Sequence, residues 1–339
     1  MKKLLMSILT VIAVFALKAH SQVVEPLKLI QTIPMPGLHA GDFDHFAVDL
    51  QNHRLFLAAE ENSAVEVFDL RANKLIHSIT GVKTPHSMTY RADLKKLFVV
   101  DGDAGLVKIY ETDSYEPIGS IELKEGADSS TFDSSTKYMY VVNKGDDAHL
   151  PYSLISVIDT TAAKKLADIK IDSDTVEAMA IEKSSPRMFV NVTGKSAVAV
   201  IDREKRTVTA TWPIGEEGKG NAAMAFDEAN HRLFVVARYP GKLIVLDSDS
   251  GKIVATLPCV GHTDDAVYDP GSKRLYVSGV PFIYVYEERH PNAIQLLGQV
   301  PSAFHAVTAM LVPELHQYYL AVPRHGDTPA ELQIYNVVP

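Results

Sequence analysis

A unit of roughly 40–45 residues recurs along this chain, and the recurrence limits the fold more than any other feature of the sequence. Residues 46–81 read "FAVDLQNHRLFLAAEENSAVEVFDLRANKLIHSITG", and residues 224–261 read "MAFDEANHRLFVVARYPGKLIVLDSDSGKIVATLPCVG". Both run in one order: apolar strand, acid, turn with Asn-His-Arg, apolar strand, polar loop, apolar strand ending in Asp, turn, strand. Further copies occupy 88–123, 130–171, 179–214 and 266–287, with a weaker one at 309–338. The residue four before the first turn falls at His45, His86, Ser129, Ala178, Ala223, Asp265 and Thr308, in steps of 41, 43, 49, 45, 42 and 43 residues. Four strands per unit at that period predict an all-β, seven-bladed β-propeller of four-stranded blades.

The ends of the chain agree. The final copy stops at its third strand, "ELQIYNVVP", while an isolated strand, "LKLIQTIPM", stands alone at 27–35. That strand is expected to pair with residues 331–337 and complete blade seven, closing the ring with main-chain hydrogen bonds. No Pro/Ser-rich linker interrupts the repeats, so residues 22–339 are expected to form one domain. Ahead of it, the basic "MKK", the 14-residue apolar run "LLMSILTVIAVFAL" and the small residues Ala19 and Ser21 read as a signal peptide over 1–21. The run is short for a membrane span, which needs about 20 apolar residues. A periplasmic or secreted protein with no membrane span after cleavage is expected, and a monomer.

Composition matters at two points. One cysteine, Cys259, allows no internal disulfide, so stability must come from the core and from ring closure. The chain has 33 basic and 42 acidic residues; losing Lys2, Lys3 and Lys18 with the leader moves the formal charge from −9 to −12. Such a chain repels phosphate backbones and argues against nucleic-acid binding, though not against a local basic patch.

The strand ends "YMYVVNKG…LISVIDT" (138–160), "FVNVTGKSAVAVID" (189–202) and "LFVVARYPGKLIVLDSDSGKIVATL" (233–257) resemble the YVTN family, and in particular its periplasmic YncE-like members. The resemblance covers nearly all of the mature chain. It implies a seven-bladed propeller, with a DNA-binding role in the enterobacterial namesake and lactonase or lyase activity in related propellers. The chain departs from the family motif at Val141-Val142-Asn143, which lacks the Thr, and at Arg238, which replaces the Asn. No catalytic set carries over by position, because a fold does not fix an activity.

In a propeller, the residues just before each innermost strand ring one mouth of the central channel. The stretch "HAGDFDH" (39–45) belongs there, with "KTPH", "EGADS", "DTVEA", "KGNAA", "GHTDD" and "FHAVT" from the other blades. The candidate ligand-binding set is therefore His39, Asp42, Asp44, His45, His86, Asp128, Glu177, Asn221, His262, Asp264, Asp265 and His305, with Arg238, Arg324 and His325 on hairpins over the same face. His45 and His86 are assigned one register, and His262 and His305 another. These four imidazoles are the candidate ligands of a divalent metal at the channel mouth, because imidazole with carboxylate suits Zn²⁺ or Cu²⁺. His53 and His231, in the Asn-His-Arg turns, are assigned to the opposite face with structural roles.

The sequence contains no nucleophile elbow, P-loop or dinucleotide-binding glycine turn. Two classes of function stay open on the residues alone. One is a non-enzymatic module that binds a small molecule, metal or protein at the rim. The other is a hydrolase or lyase of lactonase type, with rim His and carboxylates acting as general base or metal ligands. DNA binding is implied by the resemblance alone, and the charge opposes it. The purified mature protein should therefore show no salt-sensitive binding to single- or double-stranded DNA at physiological salt. Micromolar binding with a steep salt slope would contradict this.

Overall fold

The computed structural model describes residues 25–339. The leader expected over 1–21 lies outside the described residues. Twenty-eight strands form seven four-stranded antiparallel sheets, each meandering outward from its innermost strand. The seven-bladed propeller is thus confirmed. The innermost strands Phe43–Asp49, Pro85–Arg91, Ala127–Asp133, Met179–Ile181, Lys219–Asp227, Ala266–Asp269 and Ala309–Val312 line the axis.

The ring closes as the two chain ends require. Leu27–Met35 pairs antiparallel with Ala330–Val337 and supplies the outermost strand of the last blade, with Leu27 opposite Val337 and Met35 opposite Ala330. Leu27, Ile33 and Met35 are buried in this pairing. Closure leaves no gap between first and last blades through which sheet faces could meet water.

Alternation within the strands explains how the blades stack. Second strands such as Arg54–Ala59 and Arg232–Tyr239 are buried almost throughout, because both faces of a radial sheet meet a neighbouring blade. Separate apolar clusters fill the gaps: Phe46, Leu55 and Leu57 pack with Tyr319 and Leu332, and Phe56, Val65 and Val67 pack with Met88 and Tyr110. Outermost strands such as Thr207–Pro213 are mostly exposed.

On the face of the ring that carries the first turns, arginines staple successive blades. Arg54 donates to the Thr112 carbonyl, Arg91 to the Thr160 hydroxyl, Arg187 to the Ser248 carbonyl, Arg232 to the Pro291 carbonyl and Arg274 to the Val338 carbonyl. Each is a charged donor, on buried acceptors at Thr112, Thr160 and Ser248, and Arg54 and Arg187 are neutralised locally by Asp49 and Glu182. His53 and His231 sit in the first turns with φ of 54°, the left-handed conformation that the turn requires, in keeping with structural roles.

Deleting residues 22–36 from the mature chain removes the closing strand and leaves the last blade three-stranded. Its melting temperature should fall by more than about 10 °C, or the cooperative transition should vanish. A truncated protein that melts like the full mature chain would show that the ring does not depend on this strand.

Candidate functional site

The mouth of the channel is shaped by a backbone irregularity repeated in four blades. Between Phe43 and Phe46 the innermost strand holds two residues, Asp44 and His45, opposite the single residue Ala58. The same bulge holds His86-Ser87, Asp128-Ser129 and Ala222-Ala223. A bulge kinks its strand and re-aims side chains, and here it does so where the strand enters the channel.

The pairing corrects one register. The residue that closes the innermost strand is Asp49 in blade one and Arg91 in blade two, opposite Arg54 and Lys96. Counting back, Ser87 rather than His86 is equivalent to His45. His86 instead stands with Asp44 and Asp128, and the same count in the remaining blades gives Glu177, Ala222, Asp264 and Val307. One circle at the mouth therefore carries four carboxylates and one imidazole. A second tier overhangs it from the ends of the second strands: Glu60, Lys144 and Arg238. In blade two that position is Gly102, and a Cβ there would lie 2.6 Å from His86 Nε2, so the glycine makes room for the imidazole.

Asp44 is the centre of the arrangement. It is buried, its Oδ2 lies 2.6 Å from His86 Nδ1, and its Oδ1 lies 3.3 Å from His45 Nε2. The other ring nitrogen of His45, Nδ1, meets Asp265 Oδ1 at 3.1 Å. Burial alone would raise the Asp44 carboxyl, but the two imidazoles, with Lys144 behind them, hold it well below the usual carboxylate range. The same charges act in reverse on the histidines. Against the cost of burial, Asp44, Asp128 and Glu60 raise His86 to about 9, and Asp44 and Asp265 raise His45 well above its ordinary value. Both rings are cationic at neutral pH.

The remaining acids are paired with cations or raised by burial. Lys144 bridges Asp128 and Glu177, the latter at 3.2 Å, and despite burial these carboxylates raise its pKa. Burial raises Glu177, with Asp128 adding to the effect. Burial also pushes Glu60 and Asp264 up to about 7, with the Asp44 charge contributing to both. Arg238 meets Asp264 at 3.2 Å. A cavity of about 430 Å³ lies beside Glu60, His86 and Lys144, and another of about 550 Å³ beside Asp44, Asp264, Arg238 and His262. Beneath the mouth the channel narrows to about 290 Å³ between residues of all seven blades, among them Phe46, Met88, Met179, Met224 and Leu311. Ser87, Ser129, Ser130 and Asp265 interrupt this apolar lining.

The expected residues divide into groups. Asp44, His45, His86, Asp128, Glu177, Arg238, Asp264 and Asp265 converge on the mouth. His262 and His305 do lie together, edge to face with centroids 4.8 Å apart, and His305 Nδ1 is 3.5 Å from Asp42. They do not join the other two imidazoles in a four-histidine metal set: among the described residues no three ligand-bearing side chains within 4.8 Å include either of them. His325 stacks on Phe304 at 3.9 Å, and the backbone of exposed His39 donates to Asn62. Asn221 is fully buried and donates to Asn191 and the Ala197 carbonyl, so it joins neighbouring blades rather than facing a ligand. Arg324 donates to the Leu38 and Pro36 carbonyls and ties down the entry to blade one. Glu60 and Lys144 are additions; the equivalence of their positions to Arg238 was the available signal.

No family model matches the chain, and no curated protein matches its sequence. Solved structures match by shape. A chain of the Kuenenia stuttgartiensis hydrazine synthase superposes with a TM-score of 0.72 at 15% identity, covering 84% of this chain and 94% of that one. A chain from a crystal structure of the mitotic checkpoint complex does so with a TM-score of 0.74 at 13% identity, covering 100% and 99%. At such identity these likenesses show the β-propeller fold alone. Among the described residues, no helix is long and apolar enough to cross a membrane.

The charge pattern fixes how the mouth responds to pH. His86 titrates near 9 when folded and near its ordinary 6.5 when unfolded, so its pairing adds stability that is complete below pH 6.5 and lost as pH rises through about 9. Glu60 and Asp264, raised to about 7, also lose stability for the fold as pH climbs from the ordinary carboxylate range through 7. The melting temperature should therefore fall between about pH 6 and pH 9.5, and the fall should be smaller in His86→Gln. Identical pH profiles for the two proteins would contradict the pairing.

Proposed function

We propose that the protein is an exported, YVTN/YncE-like propeller that acts as a binding module and holds a divalent metal ion at the mouth of its central channel. One observation carries this reading. Asp44 belongs to two overlapping groups, Asp44–His45–Asp264 and Asp44–Glu60–His86, and in each the ligand atoms lie within 4.8 Å of one another. Imidazole nitrogen with carboxylate oxygen suits a borderline metal such as Zn²⁺ or Cu²⁺. Metal ligation needs neutral imidazole, so an entering ion takes over the charge that the two imidazolium rings now supply to Asp44, and protons leave.

A second reading, a metal-assisted hydrolase or lyase, is favoured by the cavity of about 550 Å³ that adjoins Asp44 and Asp264 and carries Arg238 and His262. It has room for a small anionic group next to a bound ion. Turnover of lactones by the metal-loaded protein, and not by the metal-free protein, would establish it.

Calorimetric titration of the metal-free protein with Zn²⁺ or Co²⁺ tests the main reading. Asp44→Asn removes the ligand common to both groups and should weaken binding by more than about tenfold. His231→Gln alters the Glu182–His231–Asp249 group elsewhere on the ring and should leave the affinity unchanged. Wild-type affinity in Asp44→Asn, or loss of binding in His231→Gln, would overturn the assignment.

A further inference from the structure

The joint between blades three and four differs from the stapled joints. Where Arg54, Arg187, Arg232 and Arg274 begin the second strands of their blades, blade three has Tyr138. Arg203 of blade four reaches back instead, pairing with Asp133 and donating to the Glu182 and Ser185 carbonyls. Substituting a tyrosine at the rim for a guanidinium across the joint leaves a cleft of about 480 Å³, on the face of the ring that carries the first turns. That volume is within the range of small-ligand pockets.

The chemistry of its walls is distinct from that of the channel mouth. Lys183 and Arg206 stand on its sides with no ion pair among the described residues; Glu204 is the one carboxylate in the lining, and Glu228 lies next to it, accepting from the backbone N–H groups of Lys183 and Ser184. Arg203 lies at the back; its charge is matched by Asp133, its side chain is only 8% exposed, and its Nε has no hydrogen-bond partner. A buried guanidinium N–H without a partner carries a desolvation cost. Half-buried Tyr138, buried Tyr140 and Pro186 add an apolar wall. In a chain of strongly negative charge, this is a local concentration of basic side chains beside aromatic surface.

We infer that this cleft binds a small organic oxyanion, one that carries a phosphate, sulfate or carboxylate group on a flat ring. The oxyanion lies between Arg206 and Lys183, towards Arg203, and the ring lies against Tyr138 and Pro186. Guanidinium donors match the oxygens of such groups in charge and spacing. The inference does not depend on the metal reading, because no residue is shared between the two sites.

Calorimetry or ligand-observed NMR with phenyl phosphate, phenyl sulfate, benzoate and inorganic phosphate tests it. At least one of the three ring-bearing anions should bind with a Kd below about 1 mM, and inorganic phosphate about tenfold more weakly. The order among the three identifies which oxyanion the cleft prefers. The double variant Lys183→Ala/Arg206→Ala should lose at least tenfold in affinity with an unchanged melting temperature, and Tyr138→Ala should bring phenyl phosphate down to the level of inorganic phosphate. No saturable binding by any ring-bearing anion in the millimolar range would overturn the inference. So would binding that the double variant leaves intact, or inorganic phosphate binding as tightly as the best ring-bearing anion.

Discussion

The pairing of Leu27–Met35 with Ala330–Val337 joins the two ends of the chain in one sheet, and the geometry of the channel mouth depends on it. A radial sheet is apolar on both faces and is stable only between two neighbours. Once the last blade is complete, the circle closes and every innermost strand is held at the same distance from the axis. Residues far apart in sequence but equal in register then share one ring. Asp44 and Asp264 meet for this reason, and the Thr308 hydroxyl, near the end of the chain, donates to the Phe43 carbonyl near its start.

Within that ring the decisive contact is local. A carboxylate buried as deeply as Asp44 would be expensive without partners. It is held by imidazoles on both sides, one from its own bulge and one from the next blade. The mouth is thus an acidic circle that supplies its own cations: two imidazolium rings, Lys144 and Arg238. Only the first two can give up a proton to an entering metal ion and present a lone pair. This separates the part of the mouth suited to a metal from the part fixed by permanent salt bridges, on the Asp128–Lys144–Glu177 side.

Much of the architecture was legible in the sequence. Blade number and ring closure follow from strand periodicity, from the lone strand at the start and from the strand missing at the end. The site was legible in outline, because polar residues before an innermost strand must reach the mouth. Its register was not. Asp49, Asp133, Asp227 and Asp269 close the innermost strands of their blades, but blade two has Arg91 there, so the turn lacks its marker and His86 was placed one residue out of step. The bulges, which decide where two successive side chains point, leave no trace in composition. Asn221 and Arg324 read as rim ligands because a polar residue near a loop does not disclose whether it faces a cavity or a neighbouring backbone. Glu60 and Lys144 lie on hairpins assigned to the same face as the mouth, but only the ring shows these two side chains leaning over its centre.

The central claim is that Asp44 is the shared ligand of the channel mouth. Anomalous diffraction from crystals of the protein loaded with Zn²⁺ tests it most directly. The account predicts a peak within bonding distance of Asp44 and of at least one of His45 and His86, with Asp264 or Glu60 completing the coordination. An ordered ion bound only at Glu182, His231 and Asp249, or no ordered ion at all in crystals soaked near saturation, would contradict it.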